Sequence, residues 1–195
     1  MKESSMPSDD DHRYPEGRLL KPLFTESQIQ ERVISLVREI AQDMHGDCLF
    51  VVGLLKGSFV FLADLVRLLH RQGVPLVIDF MSFSSYGKGT ESSGSIQMVR
   101  DITIELRDRS VLLVDDILDT GRTLHFVQEH LIAYKPKTMK TCVLLDKPAR
   151  RVVTVQTDYV GFTVPDAFLV GYGLDYNHRY RELPYISIFP DEYIL

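Results

Sequence analysis

Among its 195 residues the chain has two cysteines, no apolar run approaching the length of a bilayer span, and fewer basic than acidic side chains. Each scarcity excludes something. Two thiols cannot form a disulfide framework, and Cys48 and Cys142 sit in the apolar runs CLFVV and TCVLL. Both therefore read as small buried side chains in a reducing compartment. A formal net charge of -5 argues against a broad nucleic-acid-gripping face, although it leaves room for a local basic site. The opening MKESSMPSDDDHRYPEG lacks the apolar stretch of a signal peptide. The expectation is a cytoplasmic protein with neither membrane nor nucleic acid as partner. No internal repeat or heptad is visible.

What is present describes one globular domain, with 45% hydrophobic and 25% charged residues. Residues 1–17, rich in Ser, Asp and Pro, are expected to form a disordered tail, and 18–195 the domain. Thr25 with Gln28 makes a capping box, and Ile29, Val33, Ile34, Val37, Ile40, Ala41 and Met44 recur at helical spacing towards Gly46. CLFVVGLL then reads as a strand, KGS as a tight turn and FVFLADLVRLLHRQ as a helix stopped by Gly73. VPLVIDFMSF, VLLVDD and TMKTCVLLD read as further strands, with TLHFVQEHLIAY a helix closed before Pro136. Strands alternating with helices, in apolar runs without alternation, predict a parallel α/β sheet buried on both faces. Ligands bind at the carboxyl ends of such strands, where KGS and DDILDTGRT both fall. Residues 84–95, SSYGKGTESSGS, are too polar and glycine-rich to pack, and fit either a solvated hairpin loop or a lid.

The stretch VLLVDDILDTGRT, residues 111–123, runs from buried apolar residues into Asp115, Asp116 and Asp119. Three carboxylates so close need a cation, ligand hydroxyls or water. DDILD matches the DDxxD of helical magnesium-diphosphate enzymes, but here it follows a strand. Asp-Thr-Gly occurs in aspartic proteases, which need a second copy and an all-β body. A strand, an acidic turn and a Thr-Gly-Arg-Thr loop opening a helix instead suit a phosphomonoester on a sugar. Gly121 lets backbone N–H groups approach, Thr120 and Thr123 add hydroxyls, and Asp115 and Asp116 can accept from vicinal sugar hydroxyls. The GxxxxGK[ST] spacing of a nucleoside-triphosphate P-loop is absent.

This stretch resembles the 5-phosphoribosyl-1-pyrophosphate (PRPP) signature of type I phosphoribosyltransferases. LLKGS (54–58), FSSYGKGTESSG (83–94), LLDKP (144–148) and FLVGYGLDYNHRYR (168–181) are similar, in the same order, to hypoxanthine-guanine phosphoribosyltransferases. Asp115 stands where some members carry Glu, and Arg122 where some carry Lys. The resemblance implies a central, mostly parallel sheet flanked by helices, with a small hood built from the N- and C-terminal segments. It implies Mg2+ as cofactor, PRPP and a 6-oxopurine as substrates, and a homodimer or homotetramer.

Residue by residue, the resemblance makes Asp119 the acid/base at purine N7, Asp115 and Asp116 the ribose-hydroxyl binders near a bound ion, and residues 119–123, Arg122 included, the 5-phosphate cradle. Leu55, Lys56 and Gly57 become the pyrophosphate loop, with a cis Leu55-Lys56 peptide, and Arg181 a pyrophosphate partner. Lys147 would donate to the purine 6-oxo group, Phe168 stack on the ring, the Leu169 backbone meet its edge, and Asp175 serve both the purine site and the metal. Ser85 and Tyr86 become lid residues. The rival reading is a PRPP-binding regulator of the same fold without catalysis, for which the purine half of the site is the discriminator.

Overall fold

The computed structural model describes residues 20–44, 46–85 and 96–194. The expected tail, Tyr86 and most of the 84–95 segment lie outside them. Helix α1 (Glu26–Asp43) begins as the capping box predicts: Gln28 N donates to Thr25 Oγ1 and Thr25 N donates to Gln28 Oε1 (3.4 and 2.9 Å). Strand β2 (Leu49–Leu55) leads through the KGS turn into helix α2 (Phe59–Arg71) and back to β3 (Leu76–Ser85). Strand β5 (Ser110–Leu118) leads into α3 (Arg122–Ile132) and then β6 (Thr138–Asp146). Both are βαβ crossovers, so β3-β2-β5-β6 pair in parallel.

Two further strands complete this sheet, in the order β4-β3-β2-β5-β6-β7. β7 (Tyr159–Thr163) joins in parallel, and β4 (Ile96–Arg100) pairs antiparallel with β3, as hairpin arms would. Successive strand residues serve opposite faces. Val51, Leu112 and Val114 pack with α1 and α2, while Val52, Val111 and Leu113 pack with α3. Cys142 is fully buried, and burial pushes its thiol well above the usual range. Cys48, against expectation, is exposed: it precedes β2 and lies outside the ladder that buries Leu49, Val51 and Val52.

A second sheet stands apart, in the order β1-β9-β8, from β1 (Pro22–Phe24), β8 (Leu169–Val170) and β9 (Ile186–Ile188). It is the expected hood of N- and C-terminal segments. Its own small core joins Leu20, Val170, Tyr180 and Phe189, with Phe168 and Tyr176 packed against them.

Candidate active site

The carboxyl ends of β2 and β5 and the loop after β8 meet at a cavity of about 770 Å³. It is lined by Leu55, Lys56 and Gly57 after β2, by Asp116 and Asp119 at the end of β5, and by Lys147 after β6. The hood side supplies Phe168, Leu169, Asp175 and Arg181. Segments more than a hundred residues apart in sequence thus converge at the place where an open α/β sheet binds ligands.

Glycine makes two of these approaches possible. A Cβ on Gly57 would overlap the Asp116 carboxylate, and a Cβ on Gly173, whose φ is +100°, would overlap the Gly57 carbonyl. The turn after β2 is therefore sandwiched between the acidic strand end and the hood loop, and a side chain at either position would drive them apart. The Leu55-Lys56 peptide is cis, as the resemblance implied.

Asp115 and Asp116 differ in environment although adjacent. Asp116 lines the cavity, whereas Asp115 is buried behind it and does not. Asp115 Oδ1 accepts from Asp116 N at 3.0 Å. Burial first, and then the neighbouring negative charge of Asp116, hold the Asp115 carboxyl well above the usual carboxylate range. Burial raises Asp116 too, but hydrogen bonds to the Asp115 carboxyl and to its own and the Ile117 N–H, with the charge of Arg181, offset part of the rise. Asp116, the member of the pair at the cavity wall, is a hard-oxygen ligand of the kind a divalent cation takes. Among the described residues no cluster of three or more His, Cys, Asp or Glu could hold a metal ion. The donor set fits Mg2+, which takes one or two carboxylates and completes its shell with water and substrate phosphate.

Asp175 and Arg181 are already engaged with each other. Arg181 Nη2 lies 2.6 Å from Asp175 Oδ1, and Arg181 Nη1 donates to Gly173 O at 2.6 Å. Lys147 is only 5% exposed, donates from Nζ to Ala167 O (2.8 Å) and lies 3.9 Å from Asp166 Oδ1. An ammonium has three donors, and that carbonyl uses one. Phe168 is held edge-on by Tyr176 and Phe189, at centroid distances of 5.5 and 6.2 Å.

The loop after Asp119 departs from its sequence reading in one respect. Gly121 caps α3 with φ +86°, but a Cβ there would overlap the Val153 carbonyl. Its missing side chain therefore admits the 151–153 segment as well as leaving N–H groups accessible. Thr120 O accepts from Val152 N and Val153 N (2.9 and 3.0 Å), and Arg122 N reaches Thr120 Oγ1 at 3.5 Å. Thr120, Gly121, Arg122 and Thr123 follow Asp119 at the α3 N-terminus without lining the cavity. Ser85 ends β3.

Several lining residues escaped the sequence reading: Ser82, Phe83, Val99, Ile117, Arg150, Leu174 and His178. Arg151 also escaped it. It donates from Nε to Asp119 O (3.0 Å) and from Nη2 to Leu118 O (3.2 Å), and pairs with the Asp146 carboxylate. One guanidinium thus ties the ends of β5 and β6 together, fixing Asp119 relative to Lys147. The doublet Arg150-Arg151, one residue beyond LLDKP, was the available signal.

The model of the phosphoribosyl transferase domain matches residues 25–177. A hypoxanthine-guanine phosphoribosyltransferase of Aquifex aeolicus is 49% identical over 176 residues, 90% of this chain and 97% of that protein. A hypoxanthine phosphoribosyltransferase of Salmonella typhimurium is 44% identical over 167 residues, 85% and 92% of the two chains. Among solved structures, a hypoxanthine-guanine phosphoribosyltransferase of Bacillus anthracis superposes with a TM-score of 0.82 at 45% identity, covering 88% and 99%. The Trypanosoma cruzi hypoxanthine phosphoribosyltransferase in complex with its product IMP gives 0.82 at 38% identity, covering 91% and 98%. With the fold, the PRPP-type strand end and these likenesses together, the chain belongs to the phosphoribosyl transferase family, within the group of hypoxanthine-guanine phosphoribosyltransferases.

Proposed function

We propose that the protein transfers the 5-phosphoribosyl group of PRPP to N9 of a 6-oxopurine, hypoxanthine or guanine, giving the nucleoside monophosphate and pyrophosphate in purine salvage. The observation that carries this reading is one cavity lined both by a purine half, Lys147, Phe168 and Asp119, and by a PRPP half, Lys56, Gly57, Asp116 and Arg181. A regulator that only sensed PRPP would have no use for the first.

The sugar C1–oxygen bond breaks and its electron pair leaves with pyrophosphate, while the N9–C1 bond forms and Asp119 takes the proton that the ring gives up at N7. Lys147 donates to the 6-oxo group and Phe168 stacks on the ring, which sets N9 towards the sugar. Asp116 would hold the ribose hydroxyls and the ion, with the buried Asp115 carboxyl behind it and Asp175 a further metal ligand once parted from Arg181. The backbone of Leu55, Lys56 and Gly57 and the freed guanidinium of Arg181 face the pyrophosphate. The α3 N-terminus, with Thr120, Gly121, Arg122 and Thr123, cradles the 5-phosphate. Mg2+ neutralises the departing pyrophosphate when bound. The lid role of Ser85 and Tyr86 rests on the resemblance alone.

Cytoplasmic residence and a homodimer or homotetramer belong to the same reading. Among the described residues no helix is long and apolar enough to cross a membrane. Pyrophosphate release, measured with PRPP, Mg2+ and each base in turn, tests the activity. Hypoxanthine and guanine are expected to react, and adenine, whose amino group would face the Lys147 donor, to be rejected. Release with adenine equal to that with hypoxanthine would overturn the substrate assignment, and none with any base would favour the regulator.

A further inference from the structure

The Asp119 carboxylate is lopsided. Its Oδ1 is buried and accepts no hydrogen bond from any described residue, although the side chain as a whole is 35% exposed. Arg150 places Nε 3.8 Å from that same oxygen, beyond hydrogen-bond reach but close enough for strong attraction. Arg150 ends the short 3-10 turn Pro148–Arg150, lines the cavity, and keeps about half its side chain in solvent.

The backbone beneath it is pinned. Arg151 donates to Leu118 O and Asp119 O, and Val152 N and Val153 N donate to Thr120 O. The segment that carries Arg150 is therefore tied to the segment that carries Asp119, while no hydrogen bond among the described residues holds the Arg150 side chain itself. A shift of about 1 Å brings its donors into contact with Oδ1.

We propose that Arg150 is a positioning residue for Asp119, its guanidinium holding the buried Oδ1 so that the exposed carboxylate oxygen faces the purine ring. The proposal rests on the assignment of the cavity as a 6-oxopurine phosphoribosyl site. Arg150 works through Asp119 and not through PRPP, so its loss touches turnover and spares PRPP binding. A fork of donors can orient a carboxylate where a single ammonium only attracts it. Lysine at this position therefore restores part of the effect.

The test is steady-state kinetics of the full chain with Mg2+, PRPP and hypoxanthine for R150Q, R150K, D119N and R150Q/D119N. R150Q is expected to lower kcat roughly five- to tenfold with KM for PRPP unchanged, and R150K to recover part of the loss. In the D119N background, R150Q should cost less than about twofold, because the group it positions is already gone. An unchanged kcat in R150Q, or losses that multiply fully in the double variant, would overturn the proposal. So would a raised KM for PRPP with kcat retained, which would make Arg150 a phosphate ligand. A fold defect in R150Q would show as a lowered melting temperature, and the R150K comparison then decides. Wild-type turnover in D119N would overturn the site assignment itself, a different failure from that of Arg150.

Discussion

Asp79 and Asp115 are the same residue, each little exposed to solvent (4% and 8%), on the two strands that flank β2. Their surroundings are opposite. Asp79 Oδ1 accepts from Phe80 N at 2.8 Å and faces Arg100 Nη2 at 3.4 Å, while Oδ2 accepts from Thr103 N and Oγ1 at 2.6 and 2.9 Å. Burial alone would raise this carboxyl, but the Thr103 and Phe80 donors and the Arg100 charge outweigh it and hold the group below its ordinary value. Asp115 has the Asp116 N–H and a second carboxyl for company, and sits well above that value. Donors within the fold make a buried acid a structural peg. A buried acid left crowded beside another works against stability, and such a group marks a site kept for a ligand.

The largest expected effect breaks the peg. Asp79→Ala leaves the Thr103 and Phe80 donors unpaired beneath the 101–106 segment, at a cost of about 3 kcal/mol. Thermal melts should show a fall of roughly 6–12 °C. Because the folded carboxyl is lowered, its contribution is present above the unfolded value near 3.9 and is lost as pH falls through the folded value. The gap between variant and wild type should therefore narrow in acid. A variant that melts within a degree of wild type at pH 7 would make Asp79 a bystander.

Lys147 extends the contrast to a cation. It is as buried as Asp79, yet among the described residues its hydrogen bonding rests on Ala167 O, with Asp166 3.9 Å away and more than half exposed. Lys147→Met keeps the stem and removes the charge. Use of both hypoxanthine and guanine should fall by roughly 10- to 100-fold in kcat/KM for the base, with PRPP affinity and melting temperature little changed. An equal loss of PRPP affinity would move Lys147 out of the purine half.

The same contrast shows what could be read in advance. Asp115, Asp116 and Asp119 stood out because carboxylates ended an apolar run, and the strand-helix alternation gave the parallel sheet. Asp79 gave no such signal, since its explanation is Thr103, 24 residues away on a segment without periodicity. β1, β8 and β9 span three, two and three residues, too few for any period to register. Gly57 against Asp116 and Gly173 against Gly57 are likewise contacts of tertiary packing. Arg150 and Arg151 drew no reading from the sequence, because what they touch, Leu118 O and the two ends of Asp119, lies some 30 residues away. Motifs that carry their chemistry locally were legible, and supports delivered from elsewhere were not.

The smallest effect sharpens the comparison by reversing its sign. Asp115→Asn removes a carboxyl whose folded-state affinity for protons is raised, first by burial and then by Asp116. Below about pH 3.9 the group is protonated in both states and the substitution changes little. As pH rises from there through the folded value, the unfolded chain releases its proton more readily than the folded one, so wild type loses stability that the amide keeps. Without ligands at pH 7–8 the variant should therefore melt above wild type, while phosphoribosyl transfer falls. At pH 8 Asp79→Ala should then melt below wild type and Asp115→Asn above it. On the proposed role of the Asp115–Asp116 pair at the ribose, adding Mg2+ and PRPP should raise the melting temperature of wild type more than that of Asp115→Asn. If Asp115→Asn melts below wild type at pH 8 without ligands, Asp115 is a peg like Asp79, and the distinction between the two acids collapses.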